Sequence, residues 1–217
     1  MTCPASPTVE RSIDLNVLRA AAHRRMPWKN GGGETSEIAI SPPGATLDSL
    51  DWRVSMAVVA QDGPFSIFPD IDRTLCILDG QGMALDFGAA GGTRTVTRDT
   101  APFPFPADLP VQARLLAGTI ADLNVMTRRG RYRHSVDRLV VDRHLTLDLR
   151  AEESLLFCAD GAVSCAIEGE SEIQLGARDC VLMQSPPGVL TLSAARSSAS
   201  VFLIQLYRTI ARNASRN

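Results

Sequence analysis

Apolar residues in this chain come in short runs that alternate with polar positions, and turn-forming residues separate the runs. Examples are WRVSMAVV at 52–59 and VFLIQLY at 201–207. Side chains in a strand point alternately to two faces, so a period of two is typical of β-strands. Asp-Gly steps at 79–80 and 160–161 favour tight hairpins between such runs. The pattern predicts an all-β fold, a sandwich or barrel, with one short helix or turn within residues 15–25.

A weak internal repeat divides the chain into two similar halves. Residues 74–85 (TLCILDGQGMAL) and 155–167 (LLFCADGAVSCAI) share the order strand, Asp-Gly turn and strand. Each is followed by a charged turn and a proline-rich stretch. We therefore expect an N-terminal barrel over residues 1–128 and a C-terminal, degenerate barrel over residues 129–217. An exchange of strands between the halves is left open.

Charge and composition narrow the function classes. The chain has 22 Lys and Arg residues against 24 Asp and Glu, a net charge of -2, which argues against a nucleic-acid or membrane-surface binder. The basic cluster at 128–134 is then better explained as a solvated turn or an oligomer contact. The sequence contains neither an apolar stretch of about 18 residues nor a signal-peptide pattern, so we expect a cytoplasmic protein.

The chain contains five cysteines, and their spacing matches no zinc pattern. Four of them, Cys76, Cys158, Cys165 and Cys180, lie in apolar runs, whereas Cys3 does not. We expect small buried apolar residues in a reducing compartment.

The repeated unit of strand, tight turn, strand and prolines resembles a cupin half-barrel, in which histidines and a glutamate usually bind a metal. When the first cupin motif is anchored on Gly80, its glutamate position holds Arg73. When the second motif is placed with its proline at Pro104, its histidine position holds Leu109. In the second half, Ser154 stands at the glutamate position and Val189 near the histidine position. The resemblance implies a bicupin, two cupin-like jelly-roll barrels packed together with little helix, and no metal or other cofactor.

Three longer stretches are more specific: MPWKNGGGETSEI at 26–38, DGPFSIFPDIDRTL at 62–75 and DLNVMTRRG at 122–130. Together, and in this order, they resemble the HutD/Ves family of bicupins over about residues 15–208. That resemblance implies a small cytoplasmic cupin, often encoded with histidine-utilisation enzymes, and brings no established catalytic activity. The chain departs from the family at Asp70, where glycine is usual, and in the segment 105–108.

Arg73 is the most informative residue for function. An arginine in place of a metal-binding glutamate presents a planar fork of donors that suits a carboxylate. A salt bridge to Glu37, Asp70 or Asp72 explains the residue equally well. Either interpretation gives the arginine an anionic partner, because an unpaired buried charge is costly.

Lys29 and Asn30 precede three glycines, which can adopt positive φ or allow another backbone to approach closely. We expect the pair at the mouth of the pocket, where amides of the glycine bend would form a nest for an anion. A corner that turns the first strand into the barrel is the alternative explanation for the glycines. The order of lysine and glycines in this segment differs from that in a phosphate-binding loop, in which the lysine follows the glycines.

Further polar residues interrupt apolar strands. Arg53 and Ser55 share one face of their strand, which lines the pocket or meets solvent. Asn124 needs hydrogen-bond partners if it is buried, and by parity Asp122 shares its face. The predicted ligand-binding residues are Lys29, Asn30, Glu37, Arg53, Ser55, Arg73 and Asn124.

Three functional hypotheses follow. The first is a metal-free binding protein, accessory or regulatory in histidine utilisation, for a small anionic metabolite (formylglutamate, formiminoglutamate, urocanate or formate). The second is a metal-independent isomerase or hydrolase on such a metabolite, with Glu37 as general base; the sequence shows no catalytic constellation, so catalytic residues stay unassigned. The third is a protein–protein interaction module with filled barrels. We rank the binding protein first and leave a homodimer open.

Overall fold

The computed structural model describes residues 13–184, 188–194 and 197–209. In these ranges the chain forms strands joined by turns, together with 3-10 helices at Ala20–Ala22 and Gly88–Ala90. No helix within the described ranges is long and apolar enough to cross a membrane. The prediction of an all-β fold with little helix is therefore confirmed.

The strands of the first half are β1 (Asp14–Leu18), β2 (Arg24–Pro27), β3 (Gly33–Ser41), β4 (Trp52–Val59), β5 (Gly63–Pro64), β6 (Ile71–Asp79), β7 (Met83–Asp86), β8 (Thr93–Val96), β9 (Phe103–Pro106), β10 (Gln112–Leu115) and β11 (Ile120–Arg128). Those of the second half are β12 (Tyr132–Val141), β13 (His144–Leu149), β14 (Glu153–Asp160), β15 (Val163–Ile167), β16 (Ile173–Leu175), β17 (Cys180–Gln184), β18 (Gly188–Ala194) and β19 (Ala199–Arg208).

Four antiparallel sheets pack face to face as four layers. The outer sheet of the first half has the order β5-β10-β7-β8, and its inner sheet has the order β2-β3-β4-β11-β6-β9. The inner sheet of the second half is β1-β17-β14-β19-β12, and its outer sheet is β13-β18-β15-β16. Each half is thus a two-sheet barrel, and the two inner sheets meet at the centre.

Strand β6 shows how the apolar runs serve two cores at once. Leu75 and Ile77 point into the core of the first barrel, whereas Cys76 and Leu78 point into the central core between the inner sheets. Because both faces of an inner strand are covered, its sequence is nearly continuously apolar. Any polar residue in such a strand must find a partner inside the protein.

Strand β1 comes from the first half of the sequence, but it belongs to the inner sheet of the second barrel. It pairs antiparallel with β17, from Asp14 opposite Gln184 to Leu18 opposite Cys180. The helix expected within residues 15–25 is wrong over this strand, because Leu15 and Val17 pack against the second barrel's core while Leu18 packs against the central core. The helical turn that does form is only the 3-10 segment Ala20–Ala22.

Arg129 brings two of the family-like sequence stretches together. Its guanidinium donates to Asp72 at 2.7 Å and to both carboxylate oxygens of Asp108, at 2.8 and 3.0 Å. Its backbone amide donates to the carbonyl oxygen of Asp70, which has a left-handed φ of 59°. Glycine adopts this φ most easily, and aspartate tolerates it better than most residues do. The turn before β6 thus keeps the shape that a glycine would favour.

Four cysteines are buried and free, namely Cys76, Cys158, Cys165 and Cys180. Burial raises the pKa of each thiol, to about 12 for Cys76 and about 11 for Cys158. They pack as small apolar side chains, as predicted. Cys3 lies outside the described residues, so the expectation that the cysteines are buried is not tested for it.

His134 links the two halves through its ring. Its Nε2 lies 2.8 Å from the hydroxyl oxygen of Thr74 on β6, and its Nδ1 lies 2.7 Å from that of Thr127 on β11. Burial lowers the pKa of His134 to about 4, so the ring is neutral in the folded protein at pH 7. The folded state therefore resists a protonation that the unfolded chain accepts.

We expect His134 to make the protein less stable in acid. Its folded pKa lies below the ordinary value of 6.5, so its contribution is complete above pH 6.5 and is lost as pH falls toward 4. Between pH 7 and pH 4, wild type should lose about 3 kcal/mol more unfolding free energy than His134→Gln. Urea unfolding of both proteins at the two pH values measures this, because other titrating groups cancel in the comparison. Equal losses of unfolding free energy in the two proteins would contradict a lowered pKa at His134.

Candidate functional site

A cluster of polar side chains lies on the inner face of the first barrel. On β4, Arg53 and Ser55 share this face with Ala57, which packs in the barrel core, whereas Trp52 and Val54 face the central core. Of the two orientations that the sequence left open, the structure therefore adopts the one toward the barrel interior. Both polar residues are buried.

The strand register groups these residues into neighbouring rows. In one row, Arg53 on β4 pairs with Met126 on β11, which pairs with Arg73 on β6. In the next row, Ser55 lies between Glu37 on β3 and Asn124 on β11. Side chains opposite each other in antiparallel strands lie close together, so the register alone assembles the cluster.

Arg73 is a buried cation without a carboxylate partner among the described residues. It is 9% exposed, and its Nε donates to Oδ1 of Asn124 at 2.7 Å. Its Nη2 donates to the same oxygen. The guanidinium carbon lies 4.3 Å from the ring centroid of Phe65 and 5.7 Å from that of Phe105. Burial lowers the pKa of Arg73 to about 10, so it stays charged at pH 7.

Asp122 orients Asn124 from the far side. The amide nitrogen of Asn124 donates to Oδ1 of Asp122 at 2.5 Å, which turns the amide oxygen toward Arg73. Asp122 is 1% exposed, and burial raises its pKa to about 6 although the charge of Arg73 opposes the shift. Hydrogen bonds thus connect the carboxyl group of Asp122, the amide of Asn124 and the guanidinium of Arg73. This network can take up a proton at Asp122 near pH 6.

Arg53 differs from Arg73 because it has a direct ionic partner. Its Nε donates to Oε2 of Glu37 at 2.7 Å, and both side chains are largely buried. The salt bridge between Arg73 and Glu37, Asp70 or Asp72 is not formed. Glu37 is paired with Arg53, and Asp72 lies on the opposite face of β6, where it binds Arg129.

Lys29 and Asn30 lie apart from this cluster. Both are exposed in the turn between β2 and β3, where Oδ1 of Asn30 accepts a hydrogen bond from the amide of Gly32 at 3.0 Å. The turn joins β3 beside Val59, six residues along β4 from Arg53, which is about 20 Å at the usual rise of a strand. The structure therefore does not bring the two residues to Arg73.

The three glycines form a corner of the barrel. Gly31 has a φ of 70°, and a Cβ at Gly33 would collide with the carbonyl oxygen of Val58. Trp28 packs against the barrel core, and its indole nitrogen donates to the hydroxyl of Thr35 at 2.8 Å. Of the two explanations of the glycines, the bend into the barrel accounts for what is seen.

The predicted set omitted three residues of the cluster. Asp122 is indicated by its parity with Asn124 and could have been included. Phe65 and Phe105 sit in apolar, proline-containing stretches, and nothing in the sequence marks them as partners of an arginine. Phe65 also forms a wall of an open groove of about 430 Å³ that is lined with Ile67, Phe87 and Val111. Its ring separates that groove from Arg73.

The residues at the cupin metal positions do not fit a cation. Arg73 occupies the glutamate position, and its positive charge would repel a metal ion. Leu109, at the histidine position, packs against the apolar core. No group of three or more His, Cys, Asp or Glu side chains within the described part of the chain has the arrangement of a metal site. The cluster presents guanidinium donors where a metal site would need ligands.

We expect Arg73 and Asn124 to be strongly coupled in stability. Asn124→Leu leaves a buried guanidinium without its acceptor and should lower the unfolding free energy by about 3–5 kcal/mol. The double variant Arg73→Met/Asn124→Leu should lose clearly less unfolding free energy than the two single losses added together, because the buried guanidinium that needs the Asn124 oxygen is absent and Asp122 can become neutral by protonation. Urea unfolding of the four proteins in a double-mutant cycle measures the coupling. Additivity within about 0.5 kcal/mol would show that the two residues act independently.

Two solved structures share this fold and resemble this sequence over most of its length. PA5104 from Pseudomonas aeruginosa PAO1, a conserved protein of unknown function, is 34% identical with a TM-score of 0.82, covering 89% of this chain and 99% of that protein. HutD from Pseudomonas fluorescens SBW25, in a structure termed the formate condition, is 29% identical with a TM-score of 0.74, covering 91% of this chain and all of that protein.

Similarity of sequence relates the chain to the same group of proteins. A 21.2 kDa protein from the hutC 3′ region of Pseudomonas putida is 34% identical over 178 residues, which cover 82% of this chain and 91% of that protein. The sequence model of the HutD family matches residues 20–202. With that match spanning most of both barrels, the chain belongs to the HutD family.

Proposed function

We propose that the first barrel binds a small carboxylate at Arg73. The observation that carries the proposal is a buried guanidinium whose charge is not neutralised by any carboxylate of the described residues within 4 Å. Its described partners are an amide oxygen and two aromatic rings, which stabilise a cation without cancelling its charge. An anionic ligand would supply the missing counter-charge.

The donor geometry of Arg73 suits a carboxylate. Nε and Nη2 donate to Asn124, and Nη1 has no hydrogen-bond partner among the described residues. A guanidinium presents five N–H donors, so an incoming carboxylate can accept from the edge that Asn124 does not use. With Glu37 paired to Arg53, Asp122 is the remaining carboxyl group of the cluster, and it reaches Arg73 only through the amide of Asn124. Once Asp122 takes up a proton, as the pH falls through about 6, the cluster carries one excess positive charge. A single carboxylate would balance that charge.

Family context supports a role in histidine utilisation. The chain belongs to the HutD family, and its P. putida relative comes from the hutC region. One structural relative was studied in a formate condition. We therefore propose an accessory or regulatory binding protein whose ligand is formylglutamate, formiminoglutamate, urocanate or formate. Each of these carries the carboxylate that Arg73 would recognise.

Binding explains the cluster better than the two alternative functions do. Glu37, the predicted general base of an enzyme, is held by Arg53 at 2.7 Å, an arrangement suited to positioning rather than to proton abstraction. A pure interaction module would have no need of two arginines and Asp122 in its barrel interior, because apolar side chains fill such a space at lower cost.

We expect at least one of the four carboxylates to stabilise the protein through Arg73. Calorimetric titration and thermal shift should show binding to wild type and to Arg114→Ala, whose exposed arginine lies in the same barrel. Arg73→Met should weaken binding by about tenfold or more, because it removes a charge-assisted hydrogen bond. Unchanged affinity in a folded Arg73→Met protein would refute the proposal, as would no binding of any of the four ligands.

Carboxylate binding should strengthen as the pH falls from 7 to 5. A second negative charge near Asp122 raises its pKa further above about 6, so binding takes up a proton. The ligands stay ionised in this range because ordinary carboxyl groups titrate near pH 4. Asp122→Asn should bind with little pH dependence, and calorimetry at several pH values compares the two proteins. A pH response shared by both would show that another group controls it.

A further inference from the structure

The second barrel repeats the row of residues that contains Arg73. Arg73 lies seven positions before Gly80, and Ser154 lies seven positions before Gly161, each in the same type of Asp-Gly hairpin. In the first barrel the row is Arg53, Met126 and Arg73. In the second barrel the row across β12, β19 and β14 is Ser135, Gln205 and Ser154. The two rows occupy equivalent places in equivalent sheets.

The second row is polar but uncharged, and part of it has no partner. Ser154 is 2% exposed, and its hydroxyl has no hydrogen-bond partner among the described residues. The side-chain oxygen of Gln205 accepts from the backbone amide of Arg150 at 2.7 Å, which leaves the amide nitrogen of Gln205 as a donor. Buried hydroxyl groups are normally bonded, because leaving one unpaired costs free energy. Within the described part of the chain, Ser154 thus keeps a buried, unbonded hydroxyl beside Gln205.

A groove of about 390 Å³ opens beside this row. Ser135 and Gln205 line it, and Asp137, one step further along β12, adds a carboxylate. Asp137 has no salt bridge or side-chain hydrogen bond to the described residues. Leu139 and Leu203 provide apolar surface, and the hydroxyls of Thr146 and Tyr207 add donors and acceptors. A leucine surface edged by mixed polar groups suits a ligand with C–H faces and several hydroxyls.

We infer that the second barrel holds a separate site for a small neutral compound with several hydroxyl groups. The site contains both donors and acceptors, so a ligand must offer both, as vicinal hydroxyls do. An anion is disfavoured because Asp137 and Asp148 lie in the groove and the row lacks an arginine. Arg150, its one cation among the described lining residues, is exposed and lies 3.8 Å from Asp148. This inference stands independently of carboxylate binding at Arg73.

Ligand-observed NMR on the full chain tests the inference. The probes are glycerol, erythritol, ribose and myo-inositol, with acetate as the anionic comparison. We expect at least one polyol to bind wild type. Asp137→Asn should weaken that binding by about tenfold, because a charged acceptor is lost from the groove. Asp142→Asn, an exposed aspartate outside the groove, and Arg73→Met should leave polyol binding unchanged.

Ser135→Ala distinguishes a binding site from a polar row with a structural role only. The Ser135 hydroxyl lines the groove and has no side-chain hydrogen bond to the described residues, so its removal should leave the free protein about as stable as wild type and should weaken polyol binding. The inference fails if no polyol binds, if binding survives both Asp137→Asn and Ser135→Ala, or if acetate competes with the polyol for the groove. Loss of polyol binding in Arg73→Met would also overturn it, since the ligand would then occupy the first barrel.

Discussion

The packing of the two inner sheets against each other is the constraint on which the rest of the structure depends. Trp52 and Leu123 from the first half meet Phe157 and Phe202 from the second, all buried in one core. The opposite faces of these sheets close the two barrels, so the central strands are covered on both sides. A polar side chain in such a strand cannot be solvated by water at the surface, and it must be paired within a barrel or between the halves. This explains why the polar residues there are few and grouped.

Within that constraint, one of the two arginines of the polar cluster has no carboxylate in direct contact among the described residues. Arg53 is neutralised by Glu37, whereas Arg73 is held by the neutral amide of Asn124 and by the faces of Phe65 and Phe105. An amide fixes the direction of a guanidinium without cancelling its charge, and aromatic faces replace part of its hydration. The groups in direct contact with the guanidinium are neutral, and they leave its positive charge available to the anion proposed above.

The sequence predicts the strands and their faces well because alternation and turn residues are local signals. Trp52 and Arg53 fall on opposite faces as period two requires. What local patterns cannot show is which strands become neighbours. The pairing of β1 with β17, and the distance of Lys29 and Asn30 from Arg73, depend on long-range register. The partner of Arg73 was uncertain for the same reason, since the competition of Arg53 for Glu37 exists only after the sheet has formed.

The equivalent rows of the two barrels place different side chains on the same backbone architecture. Arg73 and Ser154 stand at equivalent places in equivalent hairpins. The middle residue is Met126 in the first row and Gln205 in the second. The central core packs against one face of both inner sheets, while different polar rows occupy equivalent positions on the opposite faces. In the functions proposed above, a charged row beside aromatic rings would select an anion, and a hydroxyl–amide–hydroxyl row beside leucines would select a neutral compound. The proposed difference in ligand would then reside in a few inward-facing side chains rather than in the architecture.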